Sequence, residues 1–147
     1  LCYGCATSPS DFENAKAIYV AQANAAALAK GLMSNVWYSV LGWTGYQTHL
    51  LHYDGNITAA YNALRTSTDK LSQSAFVRED FSNSGVRAYV FDRQGTPVWV
   101  VWSLGGERLS VNLPQAPSAV YDLYGQWRPV GQQIFVDAFP VYVEFPR

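Results

Sequence analysis

At 147 residues the chain has room for one ordinary domain or two very small ones. Apolar residues make up 49% and charged residues only 14%, against about 25% in average chains, so the surface rests on Ser, Thr, Asn, Gln and Tyr, as suits an extracellular, secreted protein. A net charge of -1 with no basic run gives nucleic acid nothing to bind, and every apolar stretch breaks before the roughly 18 residues a membrane helix needs.

The chain opens on Leu1 without a signal-peptide pattern, which reads as a processed or truncated start. Cys2 and Cys5 form a C-x-x-C pair open to three uses: a structural or incidental pair, a local disulfide loop, or metal or redox chemistry. A thioredoxin-type site needs a strand before the pair and a helix directly after it, yet only Leu1 precedes and Pro9 intervenes. A zinc site needs two further ligands, and His49 and His52 are the only histidines.

The first predicted element is a helix from Ser10 to Lys30. Ser10 is placed to cap it, with Glu13 three residues on, and Gly31 follows the last turn. Ala17, Ala21, Ala25 and Leu28 share one face. Asn35–Leu41, NVWYSVL, is apolar without alternation, the pattern of a strand buried on both faces in a parallel sheet. A Gly- and Tyr-rich loop runs from Gly42 to Tyr53, Asp54-Gly55 turns the chain, and Asn56 is placed to cap a second helix, Ile57–Ser72. Its expected buried stripe is Ala60, Leu64, Ser67 and Leu71.

After Ser72 the period changes from helical to alternating. Ala75–Glu79, Val86–Asp92, Pro97–Ser103, Arg108–Leu113, Ala119–Leu123, Gln133–Ala138 and Val141–Phe145 read as strands separated by turn signals such as Gly105-Gly106. The expected architecture is an α/β segment over 1–72 followed by an all-β antiparallel sandwich over 73–147. No flexible linker separates them, so the two parts should pack together, with one of Trp99 and Trp102 in the contact.

The acids read as caps, turns and strand surface, which leaves no facing carboxylate pair; a serine triad and a phosphate loop are equally lacking, and nothing calls for a cofactor. The aromatic cluster Trp37, Tyr38, Trp43 and Tyr46 is the more informative group, because aromatic faces stack on sugar rings while indole N–H and phenol O–H reach hydroxyls. Trp37 and Tyr38 are equally readable as core; Trp43, in a loop beside Gly42 and Gly45, is the freer of the three. Asn56-Ile57-Thr58 is a glycosylation sequon, meaningful only in a eukaryotic secretory setting.

The order AIYVAQANAAALAKGLMSNVWYSVLGW followed by LL, Asp-Gly and Ala-Tyr resembles the end of the (β/α)8 barrel in retaining glycoside hydrolases whose acid and nucleophile end the fourth and seventh strands. VRAYVFDRQGTPVWVVWS, AVYDLYG and PVYVEFP resemble the small sandwich that follows that barrel. The resemblance makes the first helix the seventh of the barrel and NVWYSVL its eighth strand. It implies that the nucleophilic Glu lies just before Leu1 and the general acid further upstream, with neither in this chain. Trp37, Tyr38 and Trp43 would then be substrate-wall aromatics. The implied partners are a carbohydrate and the remainder of a parent polypeptide, or a second copy that completes the strand. The alternatives are a non-catalytic carbohydrate-binding module and a structural scaffold.

Overall fold

The computed structural model describes residues 8–32, 35–37, 39–42 and 48–147. Cys2, Cys5, Tyr38, Trp43 and Tyr46 therefore lie outside the described residues. Among the described residues two helices, α1 (Pro9–Ala29) and α2 (Ala59–Leu71), precede eight strands: β1 (Ser74–Asp80), β2 (Val86–Arg93), β3 (Thr96–Ser103), β4 (Leu109–Asn112), β5 (Ala119–Tyr121), β6 (Trp127–Arg128), β7 (Gln133–Val136) and β8 (Val141–Glu144). The strands form a six-stranded antiparallel sheet ordered β1-β2-β3-β8-β5-β6 and a two-stranded sheet of β4 and β7.

Both helix starts correct the sequence expectation. Pro9 takes the first helical position, where its missing N–H costs nothing, so the cap moves back from Ser10 to Ser8, whose Oγ accepts from Asp11 N at 3.2 Å. Thr58, not Asn56, caps α2: its Oγ1 accepts from Tyr61 N at 3.2 Å and donates to Leu50 O at 2.7 Å. Gly31 closes α1 as expected, at a φ of 73 that favours glycine. Gly31 N reaches Leu28 O at 3.1 Å and Leu32 N reaches Ala27 O at 3.0 Å, the paired bonds of a Schellman motif.

The large sheet is covered on both faces. On one, Val90, Trp99, Val101, Val143 and Phe145 meet Val111, Ile134 and Val136 of the small sheet, which makes the sandwich core. On the other, Tyr89, Phe91, Val98, Val100, Trp102 and Tyr142 meet Ala25 and Leu71 of the helices. Trp99 and Trp102, three apart on β3, thus serve opposite faces, with Trp102 in the helix contact. The helices approach each other through Ala17, Ala21 and Ala63, and Asn24 Nδ2 donates to Ser67 Oγ at 2.8 Å across them. The buried stripe of α2 is Ala60, Ala63, Thr66, Ser67 and Leu71; Leu64, expected in it, is only partly buried, against the cluster of Val20 and Leu50.

Helices and sheet are further joined by ion pairs. Glu144 on β8 accepts from Arg93 at 3.0 Å and pairs with Lys70 of α2 at 3.3 Å, while Lys70 Nζ sits 3.4 Å from the Tyr121 ring centroid. The β2–β3 hairpin closes on Gln94 and Gly95, at φ 53 and 83, with Asp92 Oδ1 accepting from Gly95 N at 2.8 Å.

The expectation of a two-sided buried strand over Asn35–Leu41 is not met. Among its described residues only Leu41 forms a bridge, to Leu51, and Val36, Val40 and Leu41 are 83%, 54% and 55% exposed. A buried parallel strand needs neighbours on both edges, and among the described residues only the end of the run, Val40 and Leu41, pairs with another segment, at Leu50 and Leu51. Among the described residues the structure therefore shows two helices on an antiparallel sandwich and no closed barrel. β6, only two residues long, escaped the strand pattern altogether.

Tyr142 is fully buried between sheet and helices, and its hydroxyl has no hydrogen-bond partner among the described residues. Burial pushes the phenol well above its usual range, against a smaller opposing influence of Ser67. Below its ordinary value of 10.0 the group is neutral in both folded and unfolded chains; as pH rises past that value only the unfolded chain ionises, so stability falls. Tyr142→Phe is expected to leave neutral-pH stability within about 1 kcal/mol and to flatten the alkaline loss, as measured by urea melts across pH. Equal alkaline slopes would refute this.

Candidate functional site

The site is built where α1 meets the segment before α2. Trp37, the one predicted wall residue that the structure describes, lies across α1 with its ring 6.2 Å from that of Tyr19 at 59°. Its Nε1 donates to Thr48 O at 2.7 Å. One edge of the ring packs on the small core of Val20, Leu50 and Ala60. The other opens on a groove of about 300 Å³ lined by Tyr19, Ala23, Asn35, Val36 and Thr48. Trp37 is thus half core and half ledge.

The segment beneath the ledge is held by a charge that sequence reading passed over. Lys16 is fully buried on α1, and its Nζ donates to Glu13 Oε1 at 2.6 Å and to His49 O at 2.8 Å. The available signal was the Glu13–Lys16 spacing, one helical turn. Glu13 Oε2 is buried without a hydrogen-bond partner among the described residues. His49 lies against Gly42, where an added Cβ would come within 3.0 Å of the ring, and its Nε2 is 3.3 Å from His52 Nδ1. Tyr19, half-exposed, lines the groove as well; its signal was an aromatic residue on the outward side of an Ala-rich helix.

Most of the carboxylates have local structural work. Asp11 accepts from Ser8 Oγ at 2.8 Å, Glu79 pairs with Arg87, and Glu144 holds Arg93 and Lys70. Asp122 accepts from Tyr124 N and Gln126 N at 2.9 and 2.8 Å, and Asp137 accepts from Phe139 N at 2.8 Å. Asp54 accepts from Asn56 N and Nδ2 at 3.0 and 2.7 Å, and these bonds hold its carboxyl below the usual range. Partial burial raises Asp80, but hydrogen bonds from Ser82 and Arg78 outweigh it and leave that carboxyl lowered. A sugar-cleaving general acid needs the opposite shift. Among the described residues no three His, Cys, Asp or Glu side chains are grouped to hold a metal, and no helix is long and apolar enough to cross a membrane.

Two helices laid on an antiparallel sandwich, with an aromatic ledge beside the helices, define the class of fold. No protein-family profile matches the sequence and no curated protein is significantly similar to it. Solved structures do match. A family 39 glycoside hydrolase from the gut symbiont Bacteroides cellulosilyticus WH2 superposes with a TM-score of 0.77 at 18% identity, over 91% of this chain and 31% of that one. A GH30 endoxylanase from Clostridium papyrosolvens C71 gives 0.56 at 11% identity, over 89% and 38%. At these identities the likeness is one of fold. The chain spans about a third of the length of the glycoside hydrolases it matches.

Proposed function

We propose that this chain is the terminal part of a retaining glycoside-hydrolase-like protein: the last elements of a (β/α)8 barrel and the sandwich that follows. Its role there is to supply an aromatic side of the substrate cleft and a structural β layer, while the nucleophile and general acid come from the preceding polypeptide. The observation that carries this reading is the fold likeness over 91% of the chain to a third of a family 39 enzyme. The exposure of Val36, Val40 and Leu41 supports it, since such apolar residues gain neighbours when the rest of a barrel is beside them. The local engagement of the carboxylates supports a chain that holds no catalytic pair of its own. Trp37 is the described wall residue, with Tyr38 and Trp43 beside it in sequence. The low charged fraction favours an extracellular setting.

The test is turnover of a panel of aryl glycosides by this chain alone and joined to its preceding polypeptide. Only the joined form should turn over, and Trp37→Ala should raise its KM for oligosaccharides by about tenfold, the loss of one stacking contact. Turnover by the chain alone that vanishes in Glu13→Ala or Asp54→Ala would overturn the reading.

A further inference from the structure

We propose that His49 and His52 are two ligands of a structural zinc site that Cys2 and Cys5 complete. The chain has two histidines and two cysteines in all, and each couple is spaced by two residues. C-x-x-C is the usual thiolate half of a closed Cys2His2 site. H-x-x-H is one residue tighter than the usual histidine half, so its fitness rests on where the two rings stand.

They stand as zinc ligands do. His49 Nε2 is 3.3 Å from His52 Nδ1, and the ring centroids are 5.2 Å apart with the planes at 71°. Two imidazoles on one zinc, at about 2.0–2.1 Å and the tetrahedral angle, place their nitrogens about 3.3–3.4 Å and their centroids about 5.1–5.3 Å apart. A straight N–H···N bond of the observed length would hold the centroids about 5.6 Å apart. The observed pair matches the first arrangement. Its backbone is tied on both sides. Leu50 N and Leu51 N donate to Val40 O at 3.1 and 2.7 Å, Gly42 N donates to Leu51 O at 2.8 Å, and His52 N donates to Asn56 O at 2.8 Å. The His49 ring lies against Gly42, where an added Cβ would meet three of its atoms at 3.0 Å.

Charge selects the other two ligands. Lys16 Nζ donates to His49 O at 2.8 Å and so brings an ammonium beside the site. Two neutral imidazoles would leave the zinc ion its full double charge next to that ammonium, whereas two thiolates cancel it. Asp54 has both oxygens on Asn56, and Glu13 holds Lys16. No third His, Cys, Asp or Glu joins the pair among the described residues. Cys2 and Cys5 lie outside those residues and enter by their chemistry and by reach. Lys16 is about 10 Å along α1 from Pro9, and residues 5–8 can span about 10 Å back. Four protein ligands close the coordination sphere, so the zinc is a staple and not a catalytic ion. It ties the start of the chain to the segment whose Thr48 carbonyl accepts from Trp37 Nε1. The inference does not depend on the glycosidase reading.

The test uses the full chain, prepared metal-free under a reductant. Zn2+ is titrated against a competing chelator, and Co2+ in a parallel optical titration. One zinc per chain should bind with release of thiol protons, and Co2+ should give the thiolate charge-transfer band and intense d–d absorption of a tetrahedral site. His52→Gln, at an exposed position, keeps a side chain able to hydrogen-bond His49 but should weaken zinc by at least about a hundredfold, as should Cys2→Ser and Cys5→Ser. Far-UV circular dichroism without metal checks that each variant folds as the parent does, and the cobalt spectrum needs no variant. Failure to bind one zinc per chain, a cobalt spectrum without the thiolate band, or a folded His52→Gln, Cys2→Ser or Cys5→Ser chain that binds zinc as tightly as the parent overturns the proposal.

Discussion

Trp99→Ala is expected to lower the stability of the fold by about 3–5 kcal/mol, the cost of emptying a large buried aromatic site. Trp99 is 4% exposed at the centre of β3, meets Phe145 edge-to-face at 5.5 Å, and packs with the small sheet. The two short strands β4 and β7 hold to the large sheet through this core, so the cavity cannot be closed by a single side chain. Domains of this size retain only about 5–15 kcal/mol of net stability, and the variant should melt in mild denaturant. Trp127→Ala, exposed on the sheet edge, is the control and should stay within about 0.5 kcal/mol. Urea melts followed by near-UV circular dichroism measure both. A cost under about 1 kcal/mol for Trp99→Ala would mean that the sandwich core is not packed as described.

The chain by itself is expected to self-associate, and replacing Val36, Val40 and Leu41 together with Ser, Asn and Ser should restore a monomer. These three side chains, with Ile57 at 51% exposure and linked to Leu41 through the bridges of Leu51, present apolar surface to water. Each is worth about 1.5–3 kcal/mol when buried, so covering three of them favours association strongly. The preceding polypeptide is the occupant we propose for this surface; a second copy is the substitute when it is missing. Light scattering coupled to size exclusion decides the matter. A native chain that remains monomeric at high concentration would count against barrel elements on this side of the molecule.

The β layers were legible because alternation and two-sided burial leave different marks. On β7, Ile134 and Val136 point inward while Gln133 and Phe135 are exposed, as a strand with one wet face requires. β3, TPVWVVWS, was expected as one more alternating strand, yet its near-continuous apolar run carries the two-sided mark, and the helices and small sheet cover both its faces. The same rule applied to NVWYSVL gave a strand that the described residues do not form. The rule reports what a segment can bury, and burial also needs neighbours. β3 finds its own on both edges, in β2 and β8, while the described residues of 35–41 pair only at Val40 and Leu41, with Leu50 and Leu51.

Local chemistry thus resides in the residues themselves: the ends of α1, the Gln94-Gly95 hairpin and the apolar faces of the strands follow from backbone preferences and periodicity. Even there, the choice of Ser8 over Ser10 and Thr58 over Asn56 depended on which hydroxyl could reach the free N–H groups of the first turn. Contacts between distant segments follow no such period. The burial of Lys16 under His49, the ion pairs of Glu144 with two elements, the half-covered ring of Trp37 and the cleft between α2 and the 122–126 turn each join residues far apart in the chain. Their partners are selected by packing in three dimensions, and no spacing along the sequence encodes that.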